Sequence, residues 1–380
     1  MRRLIVLTVV AAMLSASCGD DDTDGSSATT APPATQTTAP PGTQTTAAPG
    51  TSATEPPQVE GATVTIVSHD SFSVTEELLA GFEEQTGIDV EILTAGDAGE
   101  MLNQVVLTKD DPIGDVVFGI DNTLMSKALD EDLLVPYESP LLAETSDELE
   151  LDPSHRLLPV DRGDVCLNYD VAYFADQGLD VPQTLTDLTD PSYEGLLVVE
   201  NPATSSPGLA FLLATVAEFG ADGWQDYWRD LAANDIAVQP GWTEAYYTDF
   251  TVAGGGDRPL VVSYASSPPA EVIFADPPVT EAPTGVIEGT CFGQVEFVGI
   301  LAGTDEEAAA RQVIDFLLST EVQEDIPLNM FVFPANENAA LPPEFVDYTV
   351  VPSDPLSMPP DEIGANRQAW IEEWNEIVVG

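Results

Sequence analysis

Three short loops carry residue types suited to holding a molecule rather than transforming one: Asn201 to Gly208, Gly241 to Tyr247 and Ser263 to Pro269. In the first and third a serine pair, Ser205-Ser206 and Ser266-Ser267, stands before proline. Serine is a preferred N-cap and proline suits the first helical turn, so both loops present helix starts. The free N–H groups of a helix start suit the oxygens of an anion. Trp242 and Tyr264 add flat faces beside them, fit for an aromatic or cationic ring. Serine before proline is also ordinary capping, so the pocket reading rests on the coincidence with these two aromatic residues.

Residues for bond-making chemistry are scarce. The chain has only two histidines, His69 and His155. It shows no Gly-x-Ser-x-Gly elbow, no Ser-x-x-Lys and no phosphate loop, and its abundant carboxylates have no informative spacing. Catalysis is therefore not expected.

The elements that must position these loops alternate. Ala62 to Val67 reads as a strand, and Ser73-Val-Thr-Glu76 reads as a capping box opening a helix with Leu78, Leu79 and Phe82 at helical spacing, stopped by Gly87. Asp89 to Leu93 feeds a helix after Asp97, Asp115 to Ile120 one after Asp121, and Gly195 to Val199 one after Ser206. Gly208 to Phe219 and Gly223 to Ala232 read as helices, Ala237 to Gln239 as a short strand, and Thr243 as the cap of a helix running through Tyr247 and Phe250. Leu260 to Tyr264 is the next strand, Cys291 to Leu301 a long one, and Thr304 to Leu318 a helix. Pro360 to Val378 closes the chain with Trp370 and Trp374 on one face, where core packing is the expectation. Such βα alternation implies an α/β fold with parallel sheets flanked by helices. In these sheets ligands lie at the carboxyl ends of the strands. The loops there are His69-Asp70-Ser71, Asp97-Ala98, Asp121-Asn122, Ser205-Ser206 and Tyr264-Ala265-Ser266-Ser267, with Asp121 equally suited to helix capping.

The 380 residues are 43% hydrophobic, enough for two lobes with their own cores, and carry a formal net charge of -56. That field disfavours nucleic acid and anionic lipid and favours cationic partners. Arg2 and Arg3 before the apolar run Leu4 to Leu14 make residues 1–17 a signal peptide. Ser15-Ala-Ser-Cys18 is similar to a lipidation signal, making Cys18 the expected anchor. Residues 18–60, rich in Thr, Ala and Pro, have little to bury and read as a tether. In an exported chain Cys166 and Cys291 are expected to pair, with two separate buried thiols as the alternative.

Six motifs occur in a telling order: His69-Asp-Ser-Phe72, Asp115 to Asn122, Thr204-Ser-Ser-Pro-Gly-Leu209, Gly241-Trp-Thr-Glu-Ala-Tyr246, Leu260 to Pro268 and Arg367-Gln-Ala-Trp370. Together they resemble the thiamine-binding proteins of bacterial ABC transporters, within the wider group of iron- and polyamine-binding solute receptors. The resemblance covers nearly all of Ala62 to Gly380. It implies a two-lobed type II periplasmic binding protein fold, with residues 61–163 and 297–380 in one lobe and 164–296 in the other. Together with the lipidation signal at Cys18, the expectation is a lipid-anchored extracytoplasmic receptor acting as a monomer, with no cofactor and no metal site. Such a receptor would close on thiamine, or on a thiamine phosphate, and dock to an ABC permease, hinging near Cys166 and Cys291. The family's contacts fall on Asp97, Ala98, Ser205, Ser206, Trp242, Tyr264, Ala265, Ser266 and Ser267. His69, Asp70, Ser71, Asp121 and Tyr246 complete the expected ligand set. The chain departs from the family in carrying His69 where a tyrosine is usual, Ala98 where glycine is usual, and no tryptophan after the Asp-Ser-Phe motif. The same resemblance leaves one alternative: adjacent Tyr246 and Tyr247 are similar to the twin tyrosines with which ferric-binding relatives hold iron. A cationic ligand further implies that His69 is neutral when ligand is bound.

Overall fold

Runs of valine, isoleucine and leucine become the strands of a single mixed sheet. The strands are β1 (Thr63–Ser68), β2 (Asp89–Thr94), β3 (Val116–Asp121), β4 (Leu134–Val135), β5 (Leu158–Asp170), β6 (Leu197–Glu200), β7 (Ala237–Gln239), β8 (Leu260–Tyr264), β9 (Thr284–Leu301) and β10 (Phe333–Pro334). The computed structural model describes residues 59–380; the signal peptide, Cys18 and nearly all of the tether lie outside the described residues. The strand order is β2-β1-β3-β9-β5-β8-β6-β7, with β10 added to β5 and β4 to β9.

Parallel pairing, expected from the βα alternation, holds at the two ends of the sheet: β1 with β2 and β3, and β6 with β7 and β8. The middle is antiparallel. There β9 pairs with β3 and β5, and β5 with β8. The reason is length: β5 with 13 residues and β9 with 18 run far enough to serve both lobes. The second is longer than the run Cys291 to Leu301 that announced it. Cys166 and Cys291, distant in sequence, are disulfide-bonded on these adjacent strands with 4.2 Å between Cα atoms.

Local chemistry explains the main helices and corrects several expectations. Helix Glu76–Thr86 starts without the Ser73 capping box, because its N-cap is Thr75, held instead by Asp325: the Thr75 amide and hydroxyl donate to the two carboxylate oxygens at 2.8 and 2.6 Å. Gly87 stops it in the left-handed conformation. Helix Ser206–Phe219 is capped by Ser205, one residue earlier than expected, and buries every residue from Ser206 to Val216. Thr243 caps nothing. The helical turn Trp242–Glu244 starts at Gly241 and passes into a π-helical segment, Ala245–Asp249, in place of the continuous helix expected. Among the described residues no helix is long and apolar enough to cross a membrane.

The C-terminal helix Pro360–Val378 spans the predicted residues. Trp374 is fully buried and meets Trp228 edge-on at 5.4 Å, whereas Trp370 is only partly buried against the same core. Trp374→Ala is expected to cost about 3–5 kcal/mol, the range for a deleted core aromatic, and Trp370→Ala clearly less. Urea denaturation of both variants checks this, and equal losses would contradict the packing described.

Candidate functional site in the interlobe cleft

The loops at the strand ends converge on a cavity of about 520 Å³ between the two ends of the sheet, within the size range of small-molecule sites. Asp97, in the loop after β2, crosses it. Its Oδ1 accepts from Ala98 N at 2.6 Å and from Ser206 N at 3.0 Å, and its Oδ2 accepts from Trp242 N at 3.0 Å. One carboxylate from the first half of the chain thus serves two helical starts of the second. The reverse bond is present too, since Glu100 N donates to Thr204 O at 2.9 Å. Gly99 permits this approach: a Cβ there would lie 2.6 Å from the Thr204 carbonyl oxygen. Burial raises the pKa of Asp97, while the Ser206 and Trp242 amides, the Ser205 hydroxyl and His69 pull it back.

Across the cleft the aromatic residues form a platform. The Trp242 indole stacks on Tyr246 at 4.8 Å with 21° between planes, and its Nε1 donates to Ser263 Oγ at 3.0 Å. Ser263 Oγ in turn meets Ser267 Oγ at 2.8 Å. Tyr246 is buried and donates its hydroxyl to Glu271 Oε1 at 3.0 Å. The π-helical segment places Tyr246 inward and Tyr247 outward, and the two rings meet edge-on at 5.3 Å. Burial pushes the Tyr246 hydroxyl well above its usual range, and the charge of Glu271 adds to this.

The floor is acidic. Asp121 of β3, Glu296 of β9 and Asp161 of β5 stand opposite one another across three neighbouring strands. Like charges so placed repel, and each is relieved differently. Asp121 Oδ1 accepts from Thr123 N, Thr123 Oγ1 and Leu124 N, while its Oδ2 accepts from Gln294 Nε2 at 2.7 Å and from Ser206 Oγ. Burial and then the charge of Glu296 push the Asp161 carboxyl well above the usual carboxylate range. Glu296 pairs with His69, whose Nε2 lies 3.2 Å away. His69 Nδ1 accepts from Ser71 N at 3.1 Å, which leaves the Nε2 proton facing Glu296. Burial lowers the His69 pKa, but Glu296, with Asp97 and Asp70 adding, raises it further, so the net shift is upward from 6.5. Gly119, at φ 102°, makes room for the imidazole; a Cβ there would strike its ring.

The cavity wall includes His69, Asp70, Ser71, Asp97, Ala98, Ser206, Trp242, Tyr246, Tyr264 and Ser267 of the expected set. Four others stand behind it. Asp121 is fully buried in the floor network, and Ser205 caps its helix through a 3.4 Å bond from Gly208 N. Ala265 packs against the disulfide, and the Ser266 hydroxyl is buried without a partner. Ser267 precedes helix Pro268–Ile273 but forms no side-chain cap, because its hydroxyl is turned to Ser263 and the Tyr264 amide. Asp161, Gln294, Glu296, Phe274 and the segment Leu328 to Val332 line the cavity without having been expected. Gln294 and Glu296 were detectable as polar residues two apart, on one face of an otherwise apolar strand. Phe331, at φ 56°, meets Phe274 across the mouth at 5.9 Å; nothing local in its sequence marks it. Among the described residues no group of three or more His, Cys, Asp or Glu is placed to hold a metal ion.

The comparisons with known proteins agree with this architecture. The family model of the bacterial extracellular solute-binding proteins matches residues 111–351. The thiamine-binding periplasmic protein of Escherichia coli (strain K12) is 28% identical over 319 residues, covering 83% of this chain and 93% of that protein. The protein of the same name from Brucella suis is 26% identical, covering 82% and 91%. A solved periplasmic thiamin binding protein superposes with a TM-score of 0.74 at 25% identity, over 83% of this chain and 96% of that one. Iron-bound HitA from Pseudomonas aeruginosa, at 18% identity and TM-score 0.68 over 83% and 99%, shares the fold. The chain belongs to the bacterial extracellular solute-binding proteins.

Proposed function

We propose that the protein is a lipid-anchored extracytoplasmic receptor that captures thiamine and hands it to an ABC importer, acting as a monomer without cofactor or catalysis. The observation that carries this reading is the pairing, in one cavity, of a Trp242–Tyr246 platform with an acidic floor. The similarity to thiamine-binding periplasmic proteins over most of the chain supports it. Thiamine offers a cationic thiazolium ring and a flat aminopyrimidine. Trp242 and Tyr264 are placed to stack on such rings, and the carboxylates to balance the charge and accept from the amino group. The ferric alternative needs two phenolates at Tyr246 and Tyr247. Tyr246 is instead committed to Trp242 and Glu271, and burial holds its proton on.

Isothermal titration of protein stripped of carried-over ligand by unfolding and refolding is expected to show tight thiamine binding. Trp242→Ala should weaken it by roughly thirtyfold, the equivalent of a desolvated cation–π contact worth about 2 kcal/mol. Ferric citrate should yield no tyrosinate-to-iron absorption band; such a band without thiamine binding would transfer the site to Tyr246 and Tyr247.

His69 adds a pH dependence. Below its raised pKa the imidazolium neutralises Glu296; above it Glu296 is free to face a cation. Thiamine affinity is therefore expected to fall as pH drops through that raised pKa, and His69→Gln should flatten the profile. Fold stability runs the other way. The contribution of the pair is full below 6.5, the unfolded value, and is lost as pH rises through the folded one. Affinity that stays flat in the wild type from about pH 5 to 8 would remove the role of His69.

A further inference from the structure

We propose that Cys166 and Cys291 are positioning residues for the ligand site, their disulfide fixing the aromatic platform against the acidic floor beyond what it adds to stability. For the ligand this rests on the thiamine reading and deepens it. The bridge lies at the larger of the two register breaks between β5 and β9. Val165 pairs with Phe292 and Leu167 with Ile287, so Glu288, Gly289, Thr290 and Cys291 face only Cys166 in this ladder. A bulge leaves residues unpaired, and register is weakly specified where a strand is rich in glycine, as here between Gly289 and Gly293. Slippage at this point would carry with it Gln294 and Glu296, which follow Cys291 on the same strand and line the cavity.

The other end of the bridge reaches the platform. Cys166 stands opposite Ser263 of β8, and both are fully buried. Ser263 Oγ is the group that receives Trp242 Nε1 and meets Ser267 Oγ. Ala265, just past the end of β8, packs on the bridge, and its N–H donates to Asp164 O at 2.9 Å. The floor strand, the bridge and the platform strand are therefore joined in sequence across the sheet. Hydrogen bonds also hold the bulge: Leu167 N donates to Thr290 Oγ1 at 3.0 Å, and Leu356 N to Cys291 O at 2.8 Å. Such bonds can be exchanged for bonds to water when the bulge shifts. A covalent link cannot.

The test compares the full wild-type chain with the double variant Cys166→Ala/Cys291→Ala, by thiamine titration well below the unfolding temperature and by hydrogen exchange read by mass spectrometry. Trp374→Ala, which loses stability but does not line the cavity, is the control. The double variant is expected to bind thiamine about tenfold more weakly. It should also exchange faster at residues 260–267 and 292–296 while helix Pro360–Val378 keeps its wild-type protection. Trp374→Ala should bind as the wild type does. Unchanged affinity in the double variant overturns the proposal, and so does exchange that is unchanged or rises uniformly, which would make the bridge a staple of the fold alone. Equal loss of affinity in Trp374→Ala overturns it too, since instability by itself would then weaken binding. If the wild type binds no thiamine, the thiamine reading fails, and the local exchange pattern alone decides the role of the bridge. Should the alanine pair not fold, Cys166→Val/Cys291→Ala, which refills part of the buried volume, takes its place. Failure of both to fold overturns the proposal, because the bridge would then be a condition of the fold and not of the site.

Discussion

The groups that meet across the cleft depend on one half-buried carboxylate joining the two halves of the chain. Asp97 accepts from its own helix start and from two helical starts of the opposite half. A carboxylate taken out of water is costly unless its lone pairs are filled. Three backbone N–H groups fill them, and the positive ends of the helical segments favour the charge. The geometry tolerates little variation. Gly99 must lack a side chain for Thr204 to approach, and at Gly241 a Cβ would already lie 3.3 Å from the Asp97 side chain. Trp242 follows Gly241 directly, so the bond that joins the lobes also fixes the root of the aromatic platform.

Beneath that bond the sheet meets a problem of its own making. Register aligns Asp121, Glu296 and Asp161 on adjacent strands, and three ionised neighbours would repel strongly in a buried site. The protein resolves this by giving each acid a different state. Asp121 is saturated by hydroxyl and amide donors, the Asp161 carboxyl is pushed well above the usual range by burial and the charge of Glu296, and Glu296 faces an imidazole. Only Glu296 and Asp161 line the cavity. Two of the three acids are thus already committed to protein partners. The overall charge of -56 is screened beyond roughly 8 Å, so the local electrostatics of the cleft lie with these few acids.

The elements were legible where periodicity is strong and the segment local. The C-terminal helix, β7 and β8 were readable to the residue, and the aromatic platform was traceable through Trp242 and its motif. The failures share a cause. Thr75 is capped by Asp325, 250 residues away; no local pattern could reveal that. Ser205 and Ser206 stand before the same proline, and which of them caps was decided when Asp97 claimed the Ser206 amide. Glu296 and Asp161 became a site only through cross-strand register, which β5 and β9 acquire by pairing with each other. Asp97 was nominated as a ligand contact, and its role in binding the other half of the protein depended on the same long-range geometry.

Closure must therefore be understood as a competition. The Asp97 bonds to Ser206 and Trp242 need no ligand, so the protein carries part of the closing free energy itself. A ligand shifts a two-state equilibrium only by its differential affinity for the two states. If protein contacts alone favoured closure strongly, the closed form would not distinguish a filled cleft from an empty one. The dry, partly unpartnered acids oppose closure around an empty cavity, since burying Asp161 Oδ2 without a donor is unfavourable. A donor brought to that oxygen removes the penalty. The same two features, a bond across the cleft and a floor with an unpartnered buried oxygen, tie closure to what fills the cavity.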